Sequence, residues 1–220
     1  MLTWTFGKGT YNSISGTFVV PTLHSPDGSA AVWVGIDGDT CDGGLWQTGI
    51  DMTYNHGAMT YDGKLFVYFS ACKKSLLSPA LAWYEWYPDV PYNFNDITIR
   101  AGDTIRLTIT ADSYTSGRAV IENLTNGHTA SHYATSTYAL CGQTTEWIVE
   151  DPSQVDPYGD VTTEPLCNFG TVTFSECSAR TSSGRTVSPY GAVINDIQQG
   201  GPVLTSTKLH SNVVTISHIG

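Results

Sequence analysis

Apolar and polar side chains alternate with a period of two along most of this chain, and that pattern admits few folds. In "DTIRLTITA", Ile105, Leu107 and Ile109 fall on one side of an extended backbone, and Arg106, Thr108 and Thr110 on the other. This is the signature of a strand with one buried face. The segments "SGTFVVP", "AAVWVGID", "GLWQTGID", "KLFVYFS", "LAWYEWYPD", "GRAVIENL", "TTEWIVED", "FGTVTFSE", "PVLTSTKL" and "NVVTISH" repeat it, each bounded by Gly, Asn, Asp or Pro, the residues of turns. Long helical patterns are absent, and only "PYGAVINDIQQ" reads as room for one short turn or helix. More than ten strands without crossover helices predict an all-β fold of antiparallel sheets packed face to face, a sandwich in preference to a barrel.

The chain has 220 residues and no Gly/Pro/Ser-rich linker, so a single domain spanning 1–220 is expected, long enough to bury a substantial core. Charged residues make up only 14%, against 11% aromatics and 22 glycines, a rigid and turn-rich composition rather than a disordered one. The formal charge of -10 repels phosphate backbones and argues against nucleic acid as a partner. Full protonation leaves at most sixteen positive side chains, from ten Lys and Arg and six His, so cationic self-repulsion in acid is limited. No stretch approaches the ~20 apolar residues of a membrane-spanning helix. The opening "MLTWTFGKGT" has no apolar signal core, so secretion would require a leader lost or replaced before this sequence begins.

Five cysteines (Cys41, Cys72, Cys141, Cys167, Cys177) show no CxxC or Cys/His metal spacing, which points to disulfides rather than zinc, with at least one thiol left over. "ENLTNG" carries a glycosylation sequon at Asn123. The ring-rich strand "LAWYEWYPD" offers Trp83, Tyr84, Trp86 and Tyr87 to a groove or to a Trp/Tyr-heavy core.

Two strands carry polar groups where apolar ones are expected. Gln47 shares a strand face with Leu45, Gly49 and Asp51, and Glu146 shares one with Ile148 and Glu150. If the two strands lie side by side with these faces together, the two Cβ atoms come within roughly 4.5–5.5 Å and the side chains can hold one water. A carboxyl there can take a proton from water and return it to a leaving amine. An amide remains a donor at every working pH and can stabilise an oxyanion.

These segments are also where the chain resembles the glutamic peptidase (eqolisin) family. "AVWVGIDGDTC", "LWQTGID", "WYEWYPD", "NDITIRAGDTI", "ENLTNG", "TEWIVED", "FGTVTF" and "DIQQGGPVLT" are similar to family segments and occur in family order, across nearly the whole chain. The resemblance implies a secreted, acid-acting, pepstatin-insensitive endopeptidase, with two antiparallel sheets of roughly seven strands in a bent, concanavalin-like sandwich. It implies neither metal nor cofactor, polypeptide substrates, a monomer without membrane or nucleic-acid partners, and a catalytic pair at Gln47 and Glu146. Trp33 matches a tryptophan of the substrate-binding surface, and Asp37 and Asp51 match acids near the glutamine. Trp83 and Glu85 fall in the ring-rich strand of the same surface. The family disulfide becomes Cys41 to Cys141, while the pairing of Cys72, Cys167 and Cys177 stays open. Trp46, beside Gln47, is a departure from the family pattern, and alternation turns it toward the core.

Two other readings fit the composition. A β-sandwich glycosidase could use Glu85 and Glu146 as its two carboxyls, about 5–5.5 Å apart for retention or about 6.5–9.5 Å for inversion. A carbohydrate-binding module would need only the rings. Ser/His/Asp catalysis lacks a G-x-S-x-G turn.

Overall fold

The computed structural model describes residues 2–5, 9–60, 82–155 and 161–220. Its strands, numbered in chain order, form two large sheets and one small ribbon. The first sheet runs β16 (Val193–Ile194), β1 (Leu2–Thr5), β11 (Thr144–Glu150), β3 (Gly28–Ile36), β4 (Leu45–Asn55), β6 (Ala82–Tyr87), β7 (Tyr92–Asn93), with β5 (Ala58–Thr60) hairpinned onto β4. The second runs β10 (His128–Thr135), β9 (Ser116–Asn123), β8 (Thr104–Ser113), β2 (Tyr11–Val19), β14 (Thr171–Thr181), β18 (Val213–His218), β17 (Thr205–His210), with β15 (Thr186–Val187) beside β14. β12 (Ser153–Val155) and β13 (Val161–Thr163) make the ribbon. Each large sheet is thus a seven-strand path with an eighth strand at its side, and the fold is an all-β antiparallel sandwich.

Alternation decides what lies between the sheets. Val32, Val34 and Ile36 of β3, Trp46 and Ile50 of β4, and Trp147 and Val149 of β11 face Ile14 and Phe18 of β2, Ile105, Leu107 and Ile109 of β8, and Phe174 of β14. Two indoles cross the layer. Trp147 Nε1 donates to the Ser15 carbonyl at 2.9 Å and Trp46 Nε1 to that of Thr110 at 3.4 Å, so each large ring is buried without an orphaned donor.

Several expectations change. "PYGAVINDIQQ" holds a turn and the short strand β16, not a helix. β1 and β10 were not legible as strands. β10 is an edge strand, largely exposed, and needs no apolar face. The predicted strand "KLFVYFS" and Cys72 lie outside the described residues. The Asn123 side chain of the sequon is not offered to a glycan on the surface. That side chain is fully buried, and its amide donates to the Thr98 carbonyl at 3.0 Å and to Asp103 Oδ2 at 2.7 Å, while its oxygen accepts the Thr125 N–H at 3.1 Å.

Candidate active site

The face of the first sheet turned away from the core carries the polar groups, and strand register arranges them in rows. One row runs Glu146 (β11), Gly35 (β3), Gln47 (β4), Glu85 (β6). The next runs Ile148, Trp33, Gly49, Trp83, and a third Glu150, Ala31, Asp51.

Gln47 and Glu146 therefore share a face and a row, but not a strand boundary. β3 lies between them, which corrects the side-by-side spacing expected from sequence. Two strand spacings separate their backbones by about 9.5 Å. Gly35 supplies no side chain in that interval. A Cβ there would fall 2.8 Å from Leu45 Cδ1, 2.9 Å from a Trp33 ring carbon and 3.3 Å from Gln47 Cβ. The glycine lets Leu45, Trp33 and Gln47 pack closely onto β3 between the amide and the carboxyl.

Glu146 is 3% exposed. Burial, reinforced by the negative charges of Asp39 and Asp37, pushes its carboxyl up to about 8, against the opposing hydrogen bonds of the Thr144 hydroxyl and the Asp39 main-chain N–H. The turn after β3 wraps closely over it: Gly38 adopts φ 117°, and a Cβ at that residue would sit 3.2 Å from Glu146 Oε2. Glu85 is pushed up to about 7 by burial, opposed by its hydrogen bond with Gln47. Glu150 also rises to about 7, through burial and the charges of Asp51, Asp151 and Glu85, opposed by the Trp33 indole. Three carboxyls on one face are thus held neutral well above the ordinary range of a glutamate.

Asp37 is not a substrate contact. It is completely buried, and its two oxygens accept the main-chain N–H groups of Cys141 (2.8 Å), Gly142 (2.8 Å), Gln143 (2.7 Å) and Thr144 (3.3 Å). It shapes the segment entering β11, two residues before Glu146. The Cys41–Cys141 disulfide fastens the same junction, with Cα atoms 5.8 Å apart and a sequence separation of 100. Asp51 accepts Trp83 Nε1 at 2.8 Å, which sets the indole beside Trp33 in a small apolar cluster with Ala31, Ile148 and Leu45. Tyr84 and Trp86 point into the core, so only Trp83 and the exposed Tyr87 of that strand remain for a groove. A cleft of about 450 Å³ is lined by Gly38, Asp42, Leu45, Tyr87 and Tyr138 among others, and neither Glu146 nor Gln47 is part of its lining.

The two carboxyls of the glycosidase reading are not neighbours: Glu146 and Glu85 stand at opposite ends of the row, their backbones about 14 Å apart, and Glu85 is hydrogen-bonded to the Gln47 amide that lies between them. The buried thiols Cys167 and Cys177 are pushed up to about 12 by burial and are inert as nucleophiles. Among the described residues, no group of three or more His, Cys, Asp or Glu is placed to hold a metal ion.

The roles of Gly35 and Gly38 are not among the sequence expectations, and Glu150 is placed there on the face of Glu146 without a role. Gly35 had a usable signal, since in "AVWVGID" it alternates in phase with Trp33 on the polar face. Gly38 and the wrap of its turn had none.

An antiparallel sandwich with buried carboxyls on the outer face of one sheet is the architecture of this chain, and its relatives place it among the glutamic endopeptidases. The family described as Peptidase A4 matches residues 4–73 and 78–218, and the chain belongs to that family. It is 37% identical to aspergillopepsin-2 of Aspergillus niger, covering 95% of this chain and 73% of that protein. It is 35% identical to scytalidopepsin B of Scytalidium lignicola, covering 95% and 74%. Crystalline scytalido-glutamic peptidase with a transition state analog inhibitor superposes with a TM-score of 0.83 at 34% identity, covering 99% of this chain and 96% of that one.

Proposed function

We propose that the protein is a secreted, acid-acting endopeptidase, a single catalytic domain working as a monomer, in which Glu146 and Gln47 act on one water. The observation that supports this reading is the register that puts Glu146, Gly35 and Gln47 in one row on the outer face of the first sheet. Held up to about 8, Glu146 enters the cycle neutral in acid, with one O–H donor and one acceptor oxygen. The acceptor oxygen takes a proton from the attacking water while the O–H is given to the carbonyl oxygen of the scissile bond. A neutral tetrahedral diol forms, and Glu146 is left neutral, protonated on its other oxygen. In the second step Glu146 protonates the leaving nitrogen as a diol hydroxyl returns its proton, the C–N bond breaks, and acid and amine separate. Gln47 donates a hydrogen bond to the oxygen on which charge develops.

Polypeptide would lie along the exposed Tyr87, over the largely buried Trp33 and Trp83 cluster. A carboxyl and an amide do not form the proton-sharing pair of two carboxylates that an aspartic-protease inhibitor fits, which supports insensitivity to pepstatin. The disulfide supports an oxidising compartment. Digestion of a denatured protein from about pH 2 to 7, a range bracketing the ordinary glutamate value, tests the proposal with pepstatin present. Cleavage should occur in acid and fall by roughly 10²–10⁴ in Glu146→Gln, the scale of general acid–base catalysis. In Gln47→Ala it should fall by about 10²–10³. Cleavage that peaks at neutral pH or survives in both folded variants would refute it.

A further inference from the structure

Gln47 is flanked by a carboxyl on each side, and the proposed reaction uses only one of them. On β6, Glu85 is its direct cross-strand partner, with Gln47 Nε2 donating to Glu85 Oε2 at 2.5 Å. In that orientation Gln47 Oε1 is buried without a hydrogen-bond partner among the described residues, a costly state for an acceptor. The oxygen and nitrogen of an amide occupy nearly equivalent positions. A half-turn of the amide sets Oε1 against Glu85 and Nε2 over Gly35. Glu85 can satisfy that orientation only by carrying a proton, because a carboxylate offers acceptors alone.

We infer that Glu85 is a positioning residue for the reaction proposed above: as a neutral carboxyl it donates to Gln47 Oε1 and turns the NH₂ toward substrate, and as a carboxylate it claims an amide N–H for itself. The inference rests on Gln47 being the oxyanion donor. Burial, which pushes Glu85 up to about 7, keeps the neutral form throughout the acid range. The titratable groups on the same face and strands are all acids. Glu146 shares its row, Asp51 and Glu150 lie two rows away, Asp37 and Asp39 lie beyond Glu146, and Tyr87 is on its own strand. No Lys, Arg or His occupies this face among the described strands.

The test is the pH dependence of kcat/KM from about pH 3 to 9, spanning the glutamate range and the three raised carboxyls, for wild type, Glu85→Gln and Glu85→Ala, with circular dichroism at each pH. Side-chain ¹H–¹⁵N signals of Gln47 are followed in parallel. Glu85→Gln presents a donor at every pH. It should keep acid activity within about threefold and lose one of the two deprotonations in the alkaline limb of wild type, and its Gln47 signals should no longer titrate near neutrality. Glu85→Ala leaves Oε1 unpaired and should lower kcat about tenfold across the range. An alkaline limb and Gln47 signals in Glu85→Gln that match wild type would overturn the inference. Absence of cleavage by wild type would instead sink the functional reading, while the Gln47 signals would still decide the role of Glu85.

Discussion

At the scale of single residues, the site depends as much on what is missing as on what is present. Gly35 stands between the two reactive side chains, and its replacement by alanine would set a methyl against Leu45, Trp33 and Gln47, two of these contacts being closer than 3.0 Å. We expect Gly35→Ala to fold, because β3 is an extended strand held on both sides, and to lose more than tenfold in kcat as the methyl displaces Leu45, Trp33 and Gln47, a misplacement effect of the kind that costs catalysis heavily. Steady-state kinetics beside a thermal melt checks this, and a variant with wild-type kcat would remove this packing from the mechanism. The sequence marks Gln47 and Glu146 as polar intrusions in apolar strands. It could not show that Asp37, beside them in motif, is spent entirely on four main-chain donors, because that depends on a segment about a hundred residues away.

At the scale of elements, β11 and the turn after β3 are bound at one junction by Asp37 and by the Cys41–Cys141 disulfide. In the chain-entropy account, a loop of about a hundred residues is worth up to about 4.7 kcal/mol. The Cys41→Ser, Cys141→Ser double variant is therefore expected to melt several degrees lower. It should retain part of its activity, since the Asp37 hydrogen bonds still hold the entry to β11. Calorimetry with a peptide assay at a temperature below both transitions separates the two effects, and unchanged melting would show that the link constrains nothing. Strands with one buried face, such as β8, were legible from alternation. The edge strand β10 was not, because exposure on its outer side removes the selection for apolar residues that makes a strand visible.

For the whole molecule, the raised carboxyls couple stability to pH. Glu146, Glu85 and Glu150 bind protons more tightly folded than unfolded, so in the interval between the ordinary glutamate range and about 7 to 8 the native state holds more protons. Stability must then fall as pH rises through that interval. It is fully present in acid and lost once the folded groups ionise. Each pKa unit corresponds to about 1.4 kcal/mol, so the three together amount to several kcal/mol. Urea midpoints should be higher near pH 4 than near pH 8, values chosen on either side of that interval, and the difference should shrink in a Glu85→Gln, Glu150→Gln variant. A midpoint that rises with pH would contradict the burial of these groups. The scarcity of cationic side chains acts in the same direction by limiting repulsion in acid.

The sequence by itself determined the all-β class, the faces of the strands and the two residues that break their pattern, because alternation with period two is a local property of extended backbone. Only the tertiary structure decided that β3 is inserted between the strands of Gln47 and Glu146, that Glu85 rather than Glu146 touches the amide, and that Asn123 is sealed inside. Strand order and burial arise from contacts between segments far apart in the chain, and no local periodicity encodes which strand becomes whose neighbour.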